Sequence, residues 1–369
     1  MELYEEISTS KINVATKLAI EENKKKEEKT NEEFVPKEYH EYLDVFSEKK
    51  AAWFPETKPW DHKIEMTEGF EPKLFKNYNL TPAEQLKLDK FLKENLDKEY
   101  IQPLESPMSS HFFFIPKKDG KLWPCQHYWY LNDWTIKNSY PLPSILDIMD
   151  KLKGTKYFTK MDIHWGYNNI QICKGDEWKA AFKPNKGLFK PTVMFFGVCN
   201  SPAMFQLMIN KIFVTMIDEK LVIIYMDNIL IFANTKEELR QITKMVLEKI
   251  WEHDLFLKAE KCEFKNIKIE YLGMIIKEGH ISMDPIELAG IWEWSIPTMV
   301  KQVRSFLGFG NVYRKFISHY SDIAKPLTNL TKKDNKFEWN DECHKAFDNL
   351  KKRFTEEPVL QMLDHFRPF

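Results

Sequence analysis

Residues 222–231 read VIIYMDNILI. Val222 to Met226 and Ile229 to Phe232 have the β-branched and aromatic composition of two short strands, and a two-residue Asp227-Asn228 link between such runs predicts a tight hairpin. That hairpin commits the chain to a sheet and holds a carboxylate at its tip on a rigid support. Taken alone the pair is also just good turn chemistry, since Asp and Asn are favoured turn residues.

The neighbouring segments say what surrounds the hairpin. TPAEQLKLDKFLKENLDKEY predicts a helix opened by Thr81 as N-cap, with Pro82 in the first turn, Glu84 closing a capping box and Leu86, Leu88, Phe91 and Leu92 as its buried face. From residue 111 the pattern changes to short strands: HFFFIPKK, KYFTKMDIH, GYNNIQI, WKAAFK and PTVMFF. A helix from Asn200 to Asp218 follows, then the hairpin, a helix over 236–253, and the strand set IEYLGMIIKEGHISMD. Further helices are expected near 285–293, 299–308 and 341–354. The result is an α+β protein with sheets backed by helices.

Composition limits the function classes. A chain of 369 residues with 43% hydrophobic and 30% charged residues is long enough for two or three cores. The start MELYEEISTSKINV lacks the basic end and apolar centre of a signal peptide, and no apolar run approaches the roughly 20 residues of a membrane span. An intracellular protein with reduced thiols is expected. Cysteines 125, 173, 199, 262 and 343 are scattered without zinc-ligand spacing. The net charge of -1 gives no global attraction to nucleic acid, so any such function rests on local patches. Only five arginines occur, none before residue 240.

Asp162, in YFTKMDIHWGYNNIQI, ends a second apolar strand, and Tyr167 follows it by five residues. Two carboxylates at neighbouring strand ends could share divalent metal, because hard oxygen ligands suit Mg²⁺ and a metal pair serves phosphoryl transfer. The ordered series SPMSSHFFFIPKKDGKLWPCQHYWYLN, YFTKMDIHWGYNN, MFFGVCNSPAMFQ, IIYMDNILIF, LKAEKCEF and IEYLGMII resembles the successive blocks of a reverse transcriptase, most nearly those of Ty3/Gypsy-type LTR retrotransposons. The resemblance covers about residues 35–365.

It implies a right-hand polymerase fold of fingers, palm and thumb with a C-terminal connection segment. On that reading 1–33 is a charged, disordered tail, 34–80 an extended connector, 81–160 the fingers and start of the palm, and 161–240 the palm. Residues 241–284 become thumb-side strands, and 285–369 thumb and connection helices that stop before an RNase H domain, so no nuclease activity is expected. Asp162 and Asp227, with the backbone carbonyl of Ile163, are implied ligands of two Mg²⁺ ions. Lys117 and Lys118 are implied contacts of a deoxynucleoside triphosphate. Tyr167 would be the gate against a ribose 2′-hydroxyl, with Phe196 and Gly197 lining the nucleotide pocket and Ser201, Pro202 and Gln206 starting the helix behind it. The implied partners are an RNA template, a DNA primer and their RNA/DNA hybrid, with no membrane; a homodimer or association with an intact Pol is a further option.

The pattern fails at chosen places. Asn228 stands where the family has a second hairpin carboxylate. Trp123 and Trp129 replace arginines, His127 replaces an Asp, and His164 replaces a residue that is usually Arg. Each Arg→Trp, Arg→His and Asp→Asn change can arise from one C·G to T·A transition, which fits five arginines beside 11 tryptophans. Two readings follow: a polymerase by descent with a crippled palm, or a non-catalytic remnant that binds nucleic acid or serves as a structural subunit.

Overall fold

The computed structural model describes residues 30–361 apart from 52–53, 117–121, 145–146, 149–150, 153, 315–316, 334 and 357–359. The charged stretch 1–29, Lys117 and Lys118 therefore lie outside the described residues. The strands are β1 (Ile101–Pro103), β2 (Ser110–Pro116), β3 (Leu122–His127), β4 (Tyr157–Asp162), β5 (Phe182–Lys183), β6 (Phe189–Pro191), β7 (Val222–Tyr225), β8 (Asn228–Ala233), β9 (Glu263–Asn266), β10 (Lys268–Tyr271), β11 (Met274–Lys277), β12 (His280–Met283) and β13 (Leu360–Gln361). They form three sheets, ordered β1-β6-β5-β2-β3, β7-β8-β4-β9 and β10-β11-β12-β13.

The hairpin strands β7 and β8 lie in the second, central sheet, where β8 also pairs antiparallel with β4. Both faces of this sheet are covered. Ile224, Ile229, Ile231 and Met161 join the core beneath the helices, whereas Ile223, Leu230, Phe232 and Phe158 join a separate core with β10–β12. Burial on two sides is why VIIY and ILIFA are continuous apolar runs rather than alternating ones.

Helix α1 (Pro82–Asp97) begins with the expected capping box, Glu84 N–H donating to the Thr81 hydroxyl and Thr81 N–H to the Glu84 carboxylate. Its inner face is narrower than expected: Leu88 and Leu92 are buried against Phe112, Phe114 and Phe182 of the first sheet, but Leu86 is 73% exposed. The helix expected over 200–218 is two, α2 (Ser201–Ile212) and a short Val214–Asp218 turn, because Phe213 leaves the helical region at φ -106, ψ 17. Helix α3 (Lys236–Glu252) is capped by Thr235 and packs Leu239, Ile242, Val246 and Ile250 inward.

Other expected strands are replaced by tighter turns. GYNNIQI holds a 3₁₀ turn over Gly166–Asn169, and WKAAFK holds another over Glu177–Ala180. Within the stretch read as an extended connector, Lys37–Phe46 is a 3₁₀ helix that buries Tyr39, Tyr42, Val45 and Phe46, tied to α3 by Tyr42 Oη donating to Glu248 at 3.0 Å. From residue 54 to 80 the chain is extended apart from short turns, held by bridges His62 to Ile172, Met66 to Thr135 and Leu74 to Ser109. Towards the end of the chain α4 (Pro285–Trp292), α5 (Val300–Tyr313), α6 (Tyr320–Leu330) and α7 (Asp341–Glu356) surround Phe306, Leu327, Phe347 and Leu350. Sequence reasoning misses α6 because Pro326 lies inside it and normally ends a helix.

His62 is 1% exposed and neither ring nitrogen has a partner among the described residues. Burial pushes it from 6.5 to about 4, against the pull of Asp176. Between these values the unfolded chain takes up a proton that the fold refuses, so stability declines as pH falls from about 6.5 towards 4. A shift of this size corresponds to roughly 3 kcal/mol. Denaturant midpoints at pH 7 and pH 4.5 should therefore differ less in His62→Leu than in the unchanged chain. His164, also pushed down to about 4, keeps part of the dependence.

Candidate active site at the central hairpin

Tyr225 pairs with Asn228, so the two turn residues are Met226 and Asp227, one position earlier than the sequence suggests. Asn228 is the first residue of β8 rather than part of the turn. Met226 has φ +55 while Asp227 is not among the positive-φ residues, the pattern of a type II′ hairpin turn. A non-glycine residue there costs about 1–3 kcal/mol unless its surroundings hold it. Gln206 of α2 does so. Its side chain is fully buried, accepts from Met226 N–H at 2.9 Å and donates to the Ile224 carbonyl at 3.2 Å and to Asn210 Oδ1 at 2.8 Å.

The register places Asp162, at the end of β4, opposite Asn228. Ile163 N–H donates to the Asp227 carbonyl at 2.8 Å, fastening the turn to the end of β4. Asp162 and Asp227 thus share one corner of the sheet. Burial, and then the Asp162 charge, raise the Asp227 carboxyl above the usual carboxylate range against the pull of Lys261 and Lys258. Asp162 is 6% exposed; its Oδ2 accepts from Lys261 Nζ at 3.0 Å, while its Oδ1 is buried with no partner among the described residues. Asn228 Nδ2 donates to Asp227 Oδ1 at 3.0 Å. A carboxylate can only accept, so the amide turns its N–H₂ rather than its oxygen towards Asp227. Tyr271 of β10 donates to the Asn228 carbonyl at 3.1 Å and ties the third sheet to this corner.

Beside the carboxylates runs a chain of rings. Trp123 of β3 meets Phe196 edge-on at 5.9 Å, Phe196 meets Tyr167 at 4.9 Å, and Tyr167 meets Phe205 of α2 at 5.8 Å. Phe196 is 56% exposed and forms the open surface of this row. Burial, followed by the charges of Asp227 and Tyr225, raises the Tyr167 phenol to about 12, so it stays neutral. Gly166 lets the Phe205 ring approach, because a Cβ would lie 3.0 Å from it. Gly197, at φ +99, accepts from Asn132 Nδ2 at 2.8 Å and turns the chain past the Gln126 carbonyl. Ser201 and Pro202 open α2 as expected.

A divalent cation suits this donor set. Asp162 Oδ1 is buried without a donor, the Lys261 ammonium already balances charge at Oδ2, and the Ile163 carbonyl accepts no hydrogen bond among the described residues. No group of three or more His, Cys, Asp or Glu side chains that could hold a metal occurs among the described residues. The protein therefore offers two carboxylates and one carbonyl, and water or substrate oxygens must complete the shell.

Residues 115–276 match the family described as reverse transcriptase (RNA-dependent DNA polymerase). The fold agrees: a foamy viral protease-reverse transcriptase in complex with RNA/DNA hybrid superimposes with a TM-score of 0.73 at 20% identity, over 93% of this chain and 46% of that one. Its form with dsDNA gives 0.74 at 20% identity, over 97% and 74%. The fold is thus that of a right-hand polymerase, and residues 115–276 carry a reverse transcriptase domain. More particularly, the chain is similar to retrotransposon polyproteins. The Transposon Tf2-7 and Tf2-3 polyproteins of Schizosaccharomyces pombe are each 32% identical over 331 residues, 89% of this chain. The chain spans about a quarter of the length of those relatives (25%). Among the described residues no helix is long and apolar enough to cross a membrane.

Sequence reading located the carboxylates and the ring row but assigned no role to Lys261 or Tyr271, and placed Gln206 only as part of a helix start. The Lys261 signal, a Lys in LKAEKCEF, is visible but its reach to Asp162 spans 99 positions. Replacing Gln206 with Leu leaves the Met226 N–H unpaired at a strained turn, and the expected cost is about 1–3 kcal/mol in denaturant unfolding.

Proposed function

We propose that this chain is an RNA-directed DNA polymerase domain in which Asp162 and Asp227 serve a nucleotidyl transfer, and that Asn228 and Trp123 impair it. The observation that carries the reading is the shared corner of the palm, where Asp162, whose Oδ1 has no partner among the described residues, stands with the raised Asp227 carboxyl. Magnesium bound there would supply the positive charge that activates a primer hydroxyl and steadies the departing pyrophosphate. The ring row of Tyr167 and Phe196 would receive the deoxynucleotide sugar and exclude a ribose 2′-hydroxyl. Lys117 and Lys118 are proposed to meet the triphosphate.

The impairment follows from charge. Asp at 228 would add a unit charge within about 4 Å of a cation, worth roughly 4 kcal/mol per unit of metal charge at an effective dielectric near 20. Even a partial loss in the transition state is about a thousandfold in rate. Asn228 also spends an N–H on Asp227 Oδ1, occupying a lone pair that a cation would use. That contact favours the second reading, a non-catalytic domain that still holds nucleic acid. Trp123 compounds the loss, since an indole packed on Phe196 cannot grip phosphate as a guanidinium fork does.

Primer extension on a homopolymer RNA template, with Mg²⁺ and separately with Mn²⁺, tests the proposal. Incorporation by the unchanged chain should be at or near background, and Asn228→Asp with Trp123→Arg together should raise it more than either alone, because both act on one bound triphosphate. Strong synthesis by the unchanged chain defeats the impairment claim. Failure of the double variant to synthesise, while hybrid binding persists, favours the non-catalytic reading.

Nucleic-acid binding should outlast catalysis, because phosphate contacts are spread over many lysines. The affinity for an RNA/DNA hybrid should drop steeply between 50 and 200 mM salt, by roughly 10³-fold if six phosphates are engaged. Fluorescence anisotropy at several salt concentrations measures this slope, and an affinity that ignores salt would speak against a retained cleft.

A further inference from the structure

His111 of β2 and His127 of β3 are directly opposed across the fingers hairpin, on the face whose residues are only half buried. Their rings stand 5.8 Å apart at an interplanar angle of 30°. His111 Nδ1 lies 2.6 Å from the Lys76 carbonyl oxygen. A carbonyl can only accept, so Nδ1 carries the proton and Nε2 of the neutral ring keeps its lone pair. The His127 ring makes no hydrogen bond among the described residues. Burial, and secondly the neighbouring His111, push His127 below its ordinary value, which favours the neutral imidazole.

We propose that His111 and His127 form a two-imidazole site for a late divalent transition cation of the zinc, nickel or copper class, bridging β2 and β3. Neutral imidazole is a favoured ligand for these ions, whereas Mg²⁺ prefers hard oxygens, so the site is chemically separate from the palm carboxylates. The bond from Nδ1 to a backbone carbonyl is the support that orients a metal-ligating histidine and raises its basicity. Aromatic flanks restrict both rings: Phe75 and Tyr78 lie 4.9 and 4.6 Å from His111, and Trp129 lies 4.6 Å from His127. Among the described residues no third His, Cys, Asp or Glu joins the pair. Water therefore fills the remaining positions, and the site is one of moderate affinity on an accessible surface. A cation there cross-links the two strands that lead into residues 117–121.

Copper titration of the full chain, with Mg²⁺ in excess to satisfy the oxygen ligands, tests this by electron paramagnetic resonance. The first equivalent should show coupling to two nitrogens and should be displaced by Zn²⁺. His111→Gln and His127→Gln should each reduce the coupling to one nitrogen and weaken binding by at least about tenfold. The same affinity and two-nitrogen coupling in the double variant would overturn the proposal, because the signal would then come from other histidines. A second measurement needs no variant. Zn²⁺ should protect His111 and His127 together from acylation by diethyl pyrocarbonate, read by peptide mass, while exposed His319 and His344 react as before. Equal modification of the pair with and without Zn²⁺ also overturns it.

Discussion

The antiparallel pairing of β4 with β8 is the constraint on which the rest depends. It runs from Tyr157 opposite Ala233 to Asp162 opposite Asn228 without a break in register. A slip of one residue would turn every side chain of β8 to the other face. Here neither face is open to water, so a slip would exchange Ile229 and Ile231, which fit the helix-side core, with Leu230 and Phe232, which fit the core beneath β10–β12. The same register brings Asp162 to the level of the turn. The position of the carboxylates is thus set by packing several residues away from them.

The hairpin turn depends on that packing in a second way. Met226 occupies a backbone region that a glycine would enter at less cost, and it is held there from below by Gln206 and from the side by the Ile163 N–H bond to Asp227. The polar contacts of the site are therefore mostly structural. They secure the backbone, and Asp162 Oδ1 is a buried side-chain oxygen with no partner among the described residues.

Legibility in the sequence followed the range of the interactions. Local signals were readable: the Thr81 capping box, the continuous apolar runs of β7 and β8, Asp162 at a strand end and Asp227 in the hairpin turn. What could not be read depended on distant partners. The turn shifted by one residue because β4 recruits Asn228 into the ladder, and Lys37–Phe46 became helical because α3 offers its aromatic residues a surface. Leu86 looked like core by spacing, yet α1 contacts the first sheet along a stripe too narrow to include it. The residues read from the sequence as departures are also accommodated locally: Trp123 packs on Phe196, Trp129 on His127, and His164 on Trp165 at 4.2 Å. Each of these three side chains thus has an aromatic contact in the fold.

The ion pair between Lys261 and Asp162 has a bearing on how such a protein behaves in the hand. Two carboxylates converging in a buried corner would repel each other, and a site of that kind often needs its cation to fold. Here an ammonium from the chain itself is already in place at 3.0 Å. The corner is neutralised in part by an internal countercharge that cannot diffuse away, and because Lys261 is half exposed it can swing out without disturbing the core. A countercharge of this kind lessens what a bound cation would add to the stability of the fold, and so works against coupling of folding to ion uptake.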